Sequence, residues 1–142
     1  MKQIALATIA LLLCAGAQAA NAPQVTSTRV FSADTTITGQ KIKVPNSPKV
    51  VVSLTTFPPG ATLRVHKHPY PHYVYVLEGT LTVTNVETGK VFDVPQGKFF
   101  AEMTDTWHFG RNKSTTPVKI LVIDQLPAGV ASNVVLKDAA AR

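Results

Sequence analysis

Four histidines occur in the 142 residues, and they are confined to two short segments. His66, His68 and His72 lie between Gly60 and Gly79, and His108 lies in the stretch Trp107-His108-Phe109-Gly110-Arg111-Asn112. Imidazole is the commonest protein ligand for mid-series divalent metals. A chain that gathers every histidine into two segments is expected to use them together. His66 and His68 are two positions apart, so on a strand they share a face about 6.6 Å apart along the backbone, with Lys67 pointing the other way. His72 has the same parity, but Pro69 and Pro71 interrupt the run and leave its direction open. A further ligand must come from a neighbouring segment, and His108 is the remaining histidine.

The elements that would carry these residues are strands. Lys49 to Phe57 is rich in β-branched residues, and Thr62 to His68 alternates apolar and polar positions. Tyr73–Leu77 and Thr80–Val86 flank Glu78-Gly79, and Lys90–Val94 and Val118–Asp124 are further short runs. Turn residues separate them: Pro58-Pro59-Gly60, Glu87-Thr88-Gly89, Pro95-Gln96-Gly97 and Thr115-Thr116-Pro117. Short strands with turn signals every 8–12 residues indicate an all-β sandwich or barrel. Val25–Phe31 alternates roughly and reads as an edge or swapped strand. The tail from Ala131 to Arg142 reads as a short helix or frayed chain. Gly60, Gly79, Gly89 and Gly97 are read as turn residues with no chemistry of their own.

The first residues read as an export signal, not as part of the fold. Lys2 precedes an apolar run from Ile4 to Leu13, and Ala17-Gln18-Ala19 is a small-x-small cleavage site. The expected division is a signal peptide over 1–19, a β-barrel domain over 20–130 and a tail over 131–142. Cleavage near Ala19/Ala20 would send the mature chain to the periplasm or outside the cell. The run is too short for a permanent membrane anchor. Leu11-Leu12-Leu13-Cys14 resembles a lipobox, but the bulky Leu13 stands where a small residue is usual, which argues against a lipoprotein. Cys14 is the sole cysteine, so a cleaved chain has neither disulfide nor thiolate and must be stable by apolar burial.

The formal charge is +6, from 14 Lys and Arg against 8 Asp and Glu. The basic residues are scattered and form no cluster or basic-aromatic stripe, so nucleic acid is not an expected partner.

The motifs resemble those of the cupin superfamily. The family's first motif runs Gly, five residues, His-x-His, three or four residues, Glu, six residues, Gly. Here Gly60, His66-Lys67-His68 and Gly79 keep every spacing, and His72 stands in place of the Glu. The second motif runs Gly, five residues, Pro-x-Gly, two residues, His, three residues, Asn. Gly89, Pro95-Gln96-Gly97, His108 and Asn112 match it, except that ten residues separate Gly97 from His108. That insert, Lys98 to Trp107, resembles a variant of small one-domain cupins with a Glu shortly before Trp-His. The resemblance covers about Ser53 to Leu126 and implies a double-stranded β-helix, the jelly-roll barrel.

It further implies that His66, His68 and His108 are metal ligands with His72 in the carboxylate slot, and that Glu102 is an alternative carboxylate ligand. An all-imidazole set favours Fe, Ni, Cu or Zn over Mn. Tyr75, Phe100 and Trp107 are expected to line a pocket for a small organic ligand. Asn112 is expected to brace its loop through backbone hydrogen bonds. No catalytic residue is assigned, because no general base stands beside the ligands unless Glu102 or Glu78 serves. The expected function is a periplasmic metal-binding protein that is either a metal-dependent oxygenase or a related enzyme on a small organic substrate. The competing readings are a non-catalytic small-ligand or metal binding module and a structural cupin with an empty pocket. By analogy with small cupins, a homodimer through sheet edges is expected.

Overall fold

The computed structural model describes residues 23–138. The expected signal peptide, its cleavage site and Cys14 lie outside the described residues, as do residues 139–142. Two antiparallel sheets face each other, and the described residues contain no helix. One sheet has the order β1 (Lys49–Phe57), β8 (Val118–Leu126), β3 (His72–Glu78), β6 (Phe99–Ala101). The other runs β5 (Val91–Pro95), β4 (Thr80–Asn85), β7 (His108–Arg111), β2 (His66–Lys67), β9 (Val135–Leu136).

The alternation of side chains decides which residues reach the interior. Along β8, Val118, Ile120 and Val122 are buried between the sheets, and Asp124 continues the same parity. Along β3, Val74 and Val76 are buried, so His72 faces inward and Tyr73 and Tyr75 face outward. β1 pairs with β8 over nine residues, from Lys49↔Leu126 to Phe57↔Val118. The core cluster joins Phe57, Val74, Val76, Leu81, Val83 and Ile120 with their buried neighbours.

Two turns are fixed by particular residues. Gly79 links β3 to β4 at φ 78°, where a Cβ would stand 2.8 Å from Val118 Cγ2. Only glycine meets both demands without strain. Asn112 is fully buried and braces the loop after β7, as expected. Its amide donates to the carbonyls of Phe57, Pro58 and Thr116, and its Oδ1 accepts from Ser114.

Three expectations are corrected. Within the single chain Val25–Phe31 forms no strand with any described residue; Val25 is 99% exposed and Phe31 packs its ring on Phe99. Thr62–His68 shortens to His66–Lys67, with Thr62 keeping one isolated bridge to Arg111. Over its described residues, 131–138, the tail holds no helix, and Val135–Leu136 is a strand and not frayed. It adds β9 to the free edge of β2, and Lys137 N–H donates to the Val65 carbonyl.

Candidate metal centre

Pairing brings the two histidine segments together. His66 on β2 stands directly opposite His108 on β7. His68, just past β2, bridges to Thr104, and the Glu102 N–H donates to the His72 carbonyl at 2.8 Å. The rings of His66, His68 and His108 lie with centroids 4.5–5.0 Å apart, and His72 stacks on His68 at 3.8 Å. All four sequence-predicted imidazoles are therefore gathered. Glu102, the alternative carboxylate, is buried among three of them. Its Oε1 lies 3.2 Å from His108 Nε2, and its Oε2 lies 3.5 Å from His72 Nε2 and 3.7 Å from His68 Nε2.

The other ring nitrogens are all engaged. His66 Nδ1 lies 2.7 Å from the Arg64 carbonyl, His68 Nδ1 2.9 Å from the Asn133 carbonyl and His108 Nδ1 2.7 Å from the Thr106 carbonyl. A carbonyl oxygen only accepts, so each Nδ1 carries the proton and each Nε2 presents a lone pair. His72 Nδ1 lies 2.7 Å from Asp124 Oδ1. Asp124 Oδ1 also accepts from Asn133 Nδ2 at 2.6 Å. This is the outer arrangement that fixes metal-binding imidazoles.

The electrostatics agree. Burial holds His66 below the usual imidazole value and His68 far below it, so both stay neutral and able to ligate. Burial acts to raise the Asp124 carboxyl, but hydrogen bonds from His72 and Asn133 outweigh it and hold it below the usual range. His68 Nε2 and His108 Nε2 are buried without any hydrogen-bond partner. Buried lone pairs without a partner are costly. Within each of two overlapping groups, His66/His68/His108 and His68/His72/Glu102, the donor atoms lie within 4.8 Å of one another, a spacing that could hold a metal ion.

A cavity of about 290 Å³ opens beside these groups. Its wall includes His66, His68, His72, Glu102 and Asp124, with Phe57, Val74 and Val122 further in. The three aromatic residues expected to line it do not. Tyr75 has the outward parity of β3 and packs toward Phe99. Phe100 is inward but buried within the apolar cluster. Trp107 lies on the outside under the ammonium groups of Lys67 and Lys137, 5.0 and 5.7 Å from its ring. Sequence reasoning also missed Asp124 and Asn133. Asp124 was signalled by its inward parity on an apolar strand, whereas nothing local marks Asn133.

A family model described as a cupin domain matches residues 53–124. Comparison with curated proteins finds no match. Several solved structures are similar. The polyketide cyclase RemF from Streptomyces resistomycificus is 21% identical, with 63% of each chain covered and a TM-score of 0.52. The DMSP lyase DddQ from Ruegeria pomeroyi is 20% identical over 61% of this chain and 42% of its own, with a TM-score of 0.52. A cupin domain from Bordetella pertussis is 22% identical over 61% of this chain and 91% of its own, with a TM-score of 0.49. The matched region thus spans less than two thirds of the cyclase and lyase chains.

Proposed function

The chain belongs to the cupin family, and from that membership we propose that it is an exported, periplasmic metal-binding cupin acting as a metal-dependent oxygenase or a related enzyme on a small organic molecule. The observation that carries this reading is the convergence of four imidazole Nε2 atoms and the Glu102 carboxylate beside a cavity, with every Nδ1 already tied down. His66, His68 and His108 would hold the ion, with Glu102 and His72 completing the set. A bound Fe, Ni, Cu or Zn ion would supply Lewis-acid or redox chemistry at its open positions. The protein's own contribution is orientation and exclusion of water. Arg64, Thr106 and Asn133 hold three rings through their carbonyls, Asp124 holds the fourth, and the apolar barrel wall keeps solvent from the buried face.

Metal content tests this reading. Chain purified from the periplasm should carry one ion, and His66→Ala/His68→Ala should abolish retention. Negligible metal, with no recovery on adding Fe, Ni, Cu or Zn, would leave a structural cupin. Oxygen uptake over diketones, thiols and phenols then separates enzyme from binder. Binding of such molecules without consumption would favour the non-catalytic module.

The same reading includes a homodimer. β1 ends its sheet, and Val50, Val52 and Leu54 on it are 56, 58 and 75% exposed. Between Lys49 and Phe57 it bears no charge, proline or bulge that would guard an edge. A second copy pairing antiparallel there would cover it. Light scattering should give twice the chain mass, and Val52→Lys should return the monomer.

A further inference from the structure

The cavity beside the imidazoles has a composition that selects its occupant. At about 290 Å³ it offers the room of roughly ten water molecules. Away from the imidazoles, Phe57, Leu81, Val83, Ile120 and Val122 form an apolar wall, and β1 adds the hydroxyl-bearing Ser53 and Thr55. Apart from the imidazoles, the ionisable side chains on the wall are Glu102 and Asp124, both acidic. Among the described residues no Lys or Arg lines it. This contrasts with the chain as a whole, which is basic. The basic residues next to the site in sequence are all diverted. Lys67 pairs with Asp105 and covers Trp107, and Arg64 and Arg111 are exposed.

An anionic ligand entering this space would lose its hydration beside hydrocarbon and meet two carboxylates. Away from a bound ion, phosphate and carboxylate are held mainly by Arg, Lys or a helix N-terminus, and the described cavity offers none of them. A divalent ion held by the imidazoles would be matched by the charges of Glu102 and Asp124, so it would not draw in an anion by net charge. An uncharged molecule with a compact apolar body meets none of these costs. We infer that the barrel takes a small, uncharged, largely apolar organic molecule, one polar group of which faces the imidazole–Glu102 end. The inference rests on the metal reading for that polar end alone; the exclusion of anions follows from the wall.

A matched pair of probes tests this. Cyclopentanecarboxamide and cyclopentanecarboxylate share a body and differ in charge. Calorimetric titration of the cobalt(II)-loaded protein, with the visible cobalt bands recorded in parallel, should show the amide binding at least about tenfold more tightly than the carboxylate. Inorganic phosphate should show no saturable binding. Ser53→Lys, which sets an ammonium at an exposed position on the wall, should narrow or reverse the ratio. Equal or tighter binding of the carboxylate, saturable phosphate binding, no saturable binding of the amide, or a ratio unmoved by Ser53→Lys would overturn the proposal. Repeating the pair on chelator-treated protein separates the two readings. If cobalt is never retained but the amide is still preferred, the metal reading fails and the ligand class stands.

Discussion

The Asp124 carboxylate accepts from two donors at once, His72 Nδ1 and Asn133 Nδ2, and both bonds are 2.7 Å or shorter. Through His72 it sets the direction of an Nε2 that lies 3.5 Å from Glu102. A carboxylate behind an imidazole raises the basicity of the opposite nitrogen and fixes the ring plane. Asp124→Asn keeps the shape and removes the charge. Metal affinity should fall roughly 10–100-fold in a chelator competition, with the far-UV spectrum unchanged. A drop smaller than about twofold would place His72 outside the metal-holding set.

At the scale of elements, the site depends on a two-residue strand near the end of the chain. β9 covers the free edge of β2, and the turn before it delivers Asn133 to a buried position. There the Asn133 carbonyl accepts from His68 Nδ1, its amide donates to Asp124, and its Oδ1 accepts from the Tyr70 N–H. One residue thus couples His68 to the His72–Asp124 pair. Asn133→Ala removes the side-chain links and leaves the carbonyl. It should weaken metal binding roughly tenfold and lower the melting temperature by several degrees, as expected for lost buried hydrogen bonds. A melting temperature that falls while metal affinity holds would show that Asn133 supports the fold without orienting the ligands.

For the whole molecule, burying several imidazoles ties stability to pH. Folding holds His66 and His68 below the ordinary value of 6.5, so the unfolded chain binds more protons as pH drops through that value. The metal-free protein should be most stable above pH 6.5 and lose up to about 1.4 kcal/mol per pH unit for each such imidazole below it. Urea midpoints of chelated protein between about pH 7.5 and about pH 5 measure this slope. A flat profile would mean that the rings are solvated or already charged in the fold. Metal at saturating concentration should raise the midpoint at pH 7.5, because it binds only the folded arrangement.

Much of this architecture is legible in the residues alone. The β-branched runs and their turn signals specify the all-β class, and β1 falls on Lys49–Phe57 as its composition predicts. The two-residue spacing of His66 and His68 specifies one shared face, because strand periodicity is local and needs no partner. Long-range pairing decided the rest. The stacking of His72 on His68 follows from the bond between His72 and Asp124, 52 residues away. The pairing of β6 with β3 brings Glu102 among three of the rings, beside His72 and not in its place. Trp107 and Tyr75 face outward and β9 forms at all because neighbouring strands, not local propensity, set which side of each segment is enclosed. Sequence dictates parity along a strand; which parity is the inside depends on the sheet that closes over it.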